Sequence, residues 1–462
     1  MRNLILIAFV CCLFTSCGGS QKPTSTHEPQ VAAAAPIVRL DIPRDSVITL
    51  QIPTDPTQSY SIYYPVKARN PEASSILLCF DPHGAGRIPI DKYKKWADKF
   101  GIAIAGSNSS RNGLSGPETQ QIAGNMIADI SSRLGFDKRY ITLCGFSGGS
   151  KVAISALSTD GQISNLIYAG AVTQLNSSRP INILGFAGEQ DMNYTDLLQF
   201  DESVRGTNPN STLIIFGGKH EWPDVQTFEN AFYWLAFQSY SLNPTMKDST
   251  LIKAFIISCD KSISDAEHKS NWIKAYQESR TAFIFLNGLA DVSSYKSKMA
   301  SLENNDLYKK ALVQQNKILG KESNEKQMLL QAFQNQGSEW WTKVINGYRS
   351  SSNPSDKRLL GFISLASFSY SNQLLQQHNL DGAERILSIY ELADPTNTDQ
   401  LYFHAMLYAQ KNNNAFAIKY LKKAVDNGFS DRQKMDAEPS FTQLRNDPDY
   451  AQIEAALKKV SR

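Results

Sequence analysis

Cysteine is scarce. The 462 residues contain six, and three of these, Cys11, Cys12 and Cys17, crowd into the N-terminal stretch. The other three, Cys79, Cys144 and Cys259, are an odd number without the spacing of a metal site or a disulfide framework. Cys79 and Cys144 lie at the ends of short apolar runs, where a free thiol behaves as a small hydrophobe, so both read as core residues rather than a disulfide. Charge of one sign is also missing: 47 Lys and Arg stand against 44 Asp and Glu, with no basic run or stripe. That speaks against a nucleic-acid partner. The N-terminal apolar stretch at 4–14 is too short for the roughly 20 residues of a bilayer-spanning helix. Histidine is rare enough to be searched by hand, with six in the chain.

The N-terminus carries an address. Met1-Arg2-Asn3 is a short positive region, residues 4–14 form an apolar stretch of secretory length, and Thr15 and Ser16 lead into Cys17. The run Leu13-Phe14-Thr15-Ser16-Cys17-Gly18-Gly19-Ser20 resembles a bacterial lipoprotein signal, with Phe14 where such signals usually carry leucine. The resemblance implies a signal peptide over 1–17 and lipidation at Cys17. It further implies export and membrane attachment through the N-terminal lipid, on the periplasmic or outer-membrane side of the cell envelope. An ordinary signal peptide with an incidental cysteine is the alternative. Residues 18–36, rich in Ser, Thr, Pro, Gln and Ala, read as a flexible tether.

Two folded regions follow. In 37–240, apolar runs at 46–52, 60–64, 75–80, 102–106, 140–144, 166–171, 181–186 and 212–216 alternate in the later part with helical patterns. Eight strands of this kind predict an α/β fold with a mostly parallel sheet covered on both faces, entered by an antiparallel hairpin. From 245 to 462 the pattern turns helical, with periods at 250–259, 270–290, 306–318, 325–334 and 357–376. Ala383-Glu384-Arg385-Ile386-Leu387 and Ala417-Ile418-Lys419-Tyr420-Leu421 recur at about 34 residues, the tetratricopeptide period. Tyr408 and Ala424 fall at packing positions of that repeat, and Asp394-Pro395 closes its first unit. The region around 357–430 thus resembles degenerate tetratricopeptide repeats, with an unrelated helical bundle as the alternative. Such a module implies a protein partner for the helical domain.

The chemistry concentrates in Gly145-Phe146-Ser147-Gly148-Gly149, a G-x-S-x-G directly after an apolar strand and before a helical run at 150–157. The tight turn excludes side chains at the outer glycines and lifts Ser147 clear of the sheet. A serine hydroxyl needs a base to take its proton. His27 lies in the tether, and His268, His378 and His404 lie in the helical region, which leaves His83 and His220. His220 follows the last strand through Gly217-Gly218-Lys219, where a sheet protein presents such a group. Asp191 follows the strand at 181–186 and is the candidate acid, with Glu189 and Asp196 as competitors. The Gly148 amide and an amide from Gly84 or Ala85, in the loop Asp81-Pro82-His83-Gly84-Ala85-Gly86, are the candidate oxyanion donors. His83, Phe146 and Trp222 are expected to line the substrate, His83 as a structural or lining residue rather than a second base. No residue set calls for a metal or an organic cofactor.

With serine, acid and histidine in that chain order, the 37–240 region resembles the α/β-hydrolase superfamily. The stretch Gly217-Gly218-Lys219-His220-Glu221-Trp222-Pro223 is similar to a signature of polyhydroxybutyrate depolymerase and feruloyl esterase-like proteins, in which the histidine is catalytic. The resemblance covers less than half of the chain. The sequence departs from it in the Asp81–Gly86 loop and in a short sixth-to-seventh strand connection without a lid, which argues against an interfacial lipase. It implies a serine esterase forming an acyl-enzyme on an ester substrate such as an acylated polysaccharide. A serine peptidase, or a binding lipoprotein with an inert hydrolase domain, are the alternatives.

Overall fold

The computed structural model describes residues 39–177 and 179–460. The expected signal peptide, Cys17 and the tether lie outside the described residues. Strands β1 (Val47–Ile52) and β2 (Asp55–Tyr63) form a hairpin, followed by β3 (Ile76–Phe80), α1 (Arg87–Phe100), β4 (Ala103–Ser107) and α2 (Gly116–Ser132). Then come β5 (Ile141–Phe146), α3 (Gly148–Thr159), β6 (Asn165–Ala169), β7 (Asn182–Gly188), α4 (Tyr194–Arg205), β8 (Ser211–Phe216) and α5 (Glu229–Leu242). The eight strands make one sheet in the order β1-β2-β4-β3-β5-β6-β7-β8. Only β2 runs antiparallel to its neighbours; the pairs from β4 to β8 are parallel. This is the eight-stranded, mostly parallel sheet with an antiparallel hairpin at its entry that the sequence led us to expect. The central strands β3, β4, β5 and β6 are buried at every position, as strands covered on both faces must be.

All eight apolar runs form strands, with small shifts at the ends except that β2 begins at Asp55, well before the run expected over 60–64. The strand expected over 166–171 stops at Ala169, because Gly170 turns the chain at φ +72°. Cys79 and Cys144 are both free and buried, and stand directly opposite each other on β3 and β5. Burial pushes the Cys144 thiol well above its ordinary value.

The helical part comprises α6 (Ser249–His268), α7 (Trp272–Leu286), α8 (Ser293–Asn304), α9 (Asp306–Asn335), α10 (Ser338–Ser350) and α11 (Pro354–Gln376). It continues with α12 (Leu380–Ala393), α13 (Thr398–Gln410), α14 (Asn414–Asp426), α15 (Arg432–Ala437) and α16 (Pro448–Val460). The separate periods expected over 306–318 and 325–334 are one 30-residue helix, α9. The polar stretch between them, with Gly320 and Asn324, looked like a break. The helix runs through it because Glu322 there is buried against α11, as described below. Neither α8 nor α10 has a counterpart among the expected helices. Ala383, Leu387, Ala417 and Leu421, picked out by their spacing of about 34 residues, are all fully buried in one cluster. Among the described residues no helix is long and apolar enough to cross a membrane.

The helices do not trail behind the sheet. Helix α7 lies along β8, where the Arg280 guanidinium donates to the Ser211 carbonyl at 2.8 Å and Thr212 and Thr281 share a hydrogen bond. Phe186, Phe216, Phe232, Phe255 and Phe285 belong to one apolar cluster that spans both parts.

His404 on α13 is buried and stacks on Tyr420 at 4.7 Å, and burial lowers its pKa from 6.5 to about 4. The unfolded chain therefore takes up this proton first. The stabilisation held by the neutral ring is complete above pH 6.5 and declines as pH falls toward 4. A difference of this size is worth on the order of 3 kcal/mol at its fullest. Urea unfolding at pH 7 and pH 4.5 should show a steeper acid loss for wild type than for His404→Phe. Equal losses would contradict the assignment.

Candidate active site

The turn between β5 and α3 is built by exclusion of side chains. A Cβ on Gly145 would lie 2.2 Å from the Gly149 carbonyl oxygen, and one on Gly149 would lie 1.9 Å from that of Phe80. Ser147, between them, has φ +52° and ψ −123°, a strained backbone for a non-glycine residue. The strain is held from below. The Ser147 amide donates to the Ala169 carbonyl at 2.8 Å, and the Ser150 hydroxyl bonds the carbonyls of Gly145 and Ala169.

Three side chains meet at this turn. His220 Nε2 stands 2.9 Å from Ser147 Oγ, and His220 Nδ1 stands 3.0 Å from both carboxylate oxygens of Asp191. Asp191 is 1% exposed, whereas Glu189 and Asp196 are exposed and make no contact with the imidazole. The loops that carry Asp191 and His220 are also joined through their backbones. The Glu189 amide donates to the Phe216 carbonyl, and the Gln190 amide to that of Gly218. Gly188 permits this approach, since a Cβ there would lie 2.6 Å from the carbonyl oxygens of Gly218 and Lys219.

The His220 loop is fixed on its other side by α1. Lys92 Nζ, the Tyr93 hydroxyl and Trp96 Nε1 donate to the carbonyls of Trp222, Pro223 and Val225. Expected as substrate-lining, Trp222 and Phe146 instead are buried and brace the histidine. The Phe146 ring lies 4.8 Å from that of His220 and 5.6 Å from that of Trp222. The reason is Asp81. This buried carboxylate accepts the Trp222 indole N–H at 2.8 Å and so draws the ring inward.

Asp81 also orders the loop that follows β3. It accepts the His83 amide at 2.9 Å, and its carboxylate beside the His83 ring raises that imidazole's pKa. Gly84 takes φ +69°, and its amide turns back to the Asp81 carbonyl at 3.4 Å. The amides of Ala85 and Gly148 have no acceptor among the described residues. Asn112 stands beside Gly148: its backbone amide donates to the Pro82 carbonyl, and its Oδ1 would lie 1.9 Å from a Cβ placed on Gly148. A cavity of about 460 Å³ opens beside this loop. His83, Ala85 and Asn112 line one wall, and Tyr402, Phe403 and Lys434 of the helical part line the other.

Sequence reasoning missed Asp81 and Asn112. Asp81 had a signal: a carboxylate at the end of a wholly apolar strand needs a buried partner. Asn112, in a loop without periodicity, had none.

The sequence matches no protein-family model and no curated protein. Solved structures do resemble part of it. An esterase of the archaeon Pyrobaculum calidifontis is 12% identical, covering 44% of this chain and 85% of its own at a TM-score of 0.35. S-formylglutathione hydrolase of Staphylococcus aureus is 15% identical, covering 41% and 98% at 0.34. A fungal esterase of Rhizomucor miehei is 10% identical, covering 43% and 84% at 0.36.

Proposed function

We propose that this protein is a serine hydrolase that cleaves carboxylic esters through an acyl-enzyme. In this reading Ser147 is the nucleophile, His220 the general base and Asp191 its acid partner. The observation that carries it is the unbroken hydrogen-bonded line from Ser147 Oγ through both nitrogens of His220 to Asp191. Few structural needs call for a buried carboxylate, an imidazole and a strained serine in one line, and nucleophile activation calls for all three.

Ser147 Oγ attacks the ester carbonyl while His220 Nε2 takes its proton, and Asp191 stabilises the imidazolium that results. The tetrahedral oxyanion is held by the Gly148 and Ala85 amides, two of the candidate donors that have no acceptor among the described residues. Ala85 is preferred over Gly84 because the Gly84 amide is already turned to Asp81. The imidazolium then protonates the leaving alcohol, and water repeats the sequence to release the acid. The cavity beside His83 and Ala85 receives one limb of the ester. With the N-terminal lipoprotein signature, the reading places this activity outside the cytoplasm, on a lipid-anchored protein, against acylated material such as polysaccharide.

Incubating the purified protein with a fluorophosphonate should add one probe per chain, and digestion followed by mass spectrometry should find it on Ser147. A folded protein that takes up no probe, or carries it elsewhere, would remove the basis of the assignment.

A further inference from the structure

We propose that the C-terminal helices hold the catalytic acid in place, with Arg358 and Lys326 as positioning residues for Asp191. This rests on the hydrolase reading above. Asp191 lies in the short loop between β7 and α4, and two carbonyls of that loop are taken by side chains from far along the chain. Arg358 on α11 donates to the Glu189 carbonyl at 2.7 Å, and Lys326 on α9 donates to the Met192 carbonyl at 2.8 Å. The loop is gripped on both sides of the acid.

The grip is itself rigid. Both cations converge on Glu322 of α9: Arg358 Nη2 lies 2.6 Å from one carboxylate oxygen and Lys326 Nζ lies 3.2 Å from the other. The Ser355 hydroxyl adds a third donor at 2.9 Å. Burial alone would raise the Glu322 carboxyl, but the hydrogen bond and charge of Arg358, with Lys326 and Ser355, outweigh it and hold the group below its usual value. The side chains of Glu322 and Arg358 are 1% and 6% exposed. Two helices that merely docked on the sheet would use apolar contacts, since burying an ion pair brings a desolvation cost that such contacts avoid. Here buried charges are spent on aiming two donors at backbone carbonyls. Arg358 also stacks over Tyr194, the first residue of α4, at 4.8 Å.

The opposite side of the loop is fixed by the Gln190–Gly218 and Glu189–Phe216 backbone hydrogen bonds to the base loop. Asp191 is therefore held between the histidine's own loop and the helices. If the helical grip is lost, the carboxylate can withdraw from His220 Nδ1 without the sheet unfolding. Other charged groups around the loop are Asp196 on α4 and Lys151 on α3, and neither contacts the carbonyls of Glu189 or Met192.

The test uses the full chain, a short-chain p-nitrophenyl ester as probe, and the variants Lys326→Met and Arg358→Lys. Lys326→Met leaves the Arg358–Glu322 pair intact, and Arg358→Lys keeps a charge beside Glu322 while shortening the reach to Glu189. Thermal unfolding confirms that each variant folds. A displaced acid should lower kcat by about 10²-fold in each with little change in KM. It should also move the acid limb of the pH–rate profile to lower pH, because the imidazolium loses its carboxylate partner. Folded variants with wild-type kcat, or with a lowered melting temperature and an unmoved acid limb, would overturn the proposal while the hydrolase reading stands. A wild type that neither turns over the ester nor takes up fluorophosphonate would overturn both.

Discussion

His220→Ala should lower kcat toward a reactive ester by about 10⁵- to 10⁶-fold while leaving KM within a few-fold. The reason is geometric. His220 Nε2 is the base within reach of Ser147 Oγ, at 2.9 Å, so its loss leaves the hydroxyl at its ordinary, poor nucleophilicity. What survives is the contribution of the oxyanion donors and of substrate binding. Initial rates of ester hydrolysis, with thermal unfolding as a control for the fold, give the answer. A folded variant retaining more than about a hundredth of wild-type kcat would mean that another group activates the serine.

The second large effect separates the three candidate acids. Asp191→Asn should cost about 10⁴-fold in kcat, because an amide at this position favours the wrong imidazole tautomer and cannot stabilise the imidazolium. Glu189→Gln and Asp196→Asn should stay within about threefold of wild type, since exposed charges away from the reacting atoms contribute little. Only Asp191 combines burial with equal 3.0 Å distances from both oxygens to His220 Nδ1. Steady-state kinetics on the three variants decides it. A large loss at Glu189 or Asp196 with a mild one at Asp191 would reassign the acid.

The sheet was legible because each strand announces itself locally. Runs such as Ile76–Phe80 are uniformly apolar, and a strand buried on both faces must be so. The G-x-S-x-G turn was legible in part for a related reason: Gly145 is dictated by Gly149 and Ser150 close by in sequence, whereas Gly149 is set by Phe80 and Asp81 on the neighbouring strand's end. The histidine could be found by elimination among six. What could not be read was long-range. Trp222 looked like a residue that faces substrate, and its inward turn depends on Asp81, 141 positions earlier. Glu322 sat in a stretch that read as a gap between helices, because its partner Arg358 is 36 residues away and periodicity is blind to such a pair. Local pattern picked out Ser147 and His220 and passed over the distant partners that pack around them.

The bond from Arg358 to the Glu189 carbonyl closes a loop of 169 residues. Loop closure over such a length adds only modestly to the entropic cost, so the bond is no great burden on stability. Its effect falls on timing. All eight strands have been synthesised once the chain passes Phe216, yet the Asp191 loop has both of its distant donors only after residue 358 has been made. At roughly 5–20 residues per second that interval lasts on the order of ten seconds. A nascent chain thus carries its serine and histidine well before the support for its acid exists, and the same is true of any chain cut short before α11.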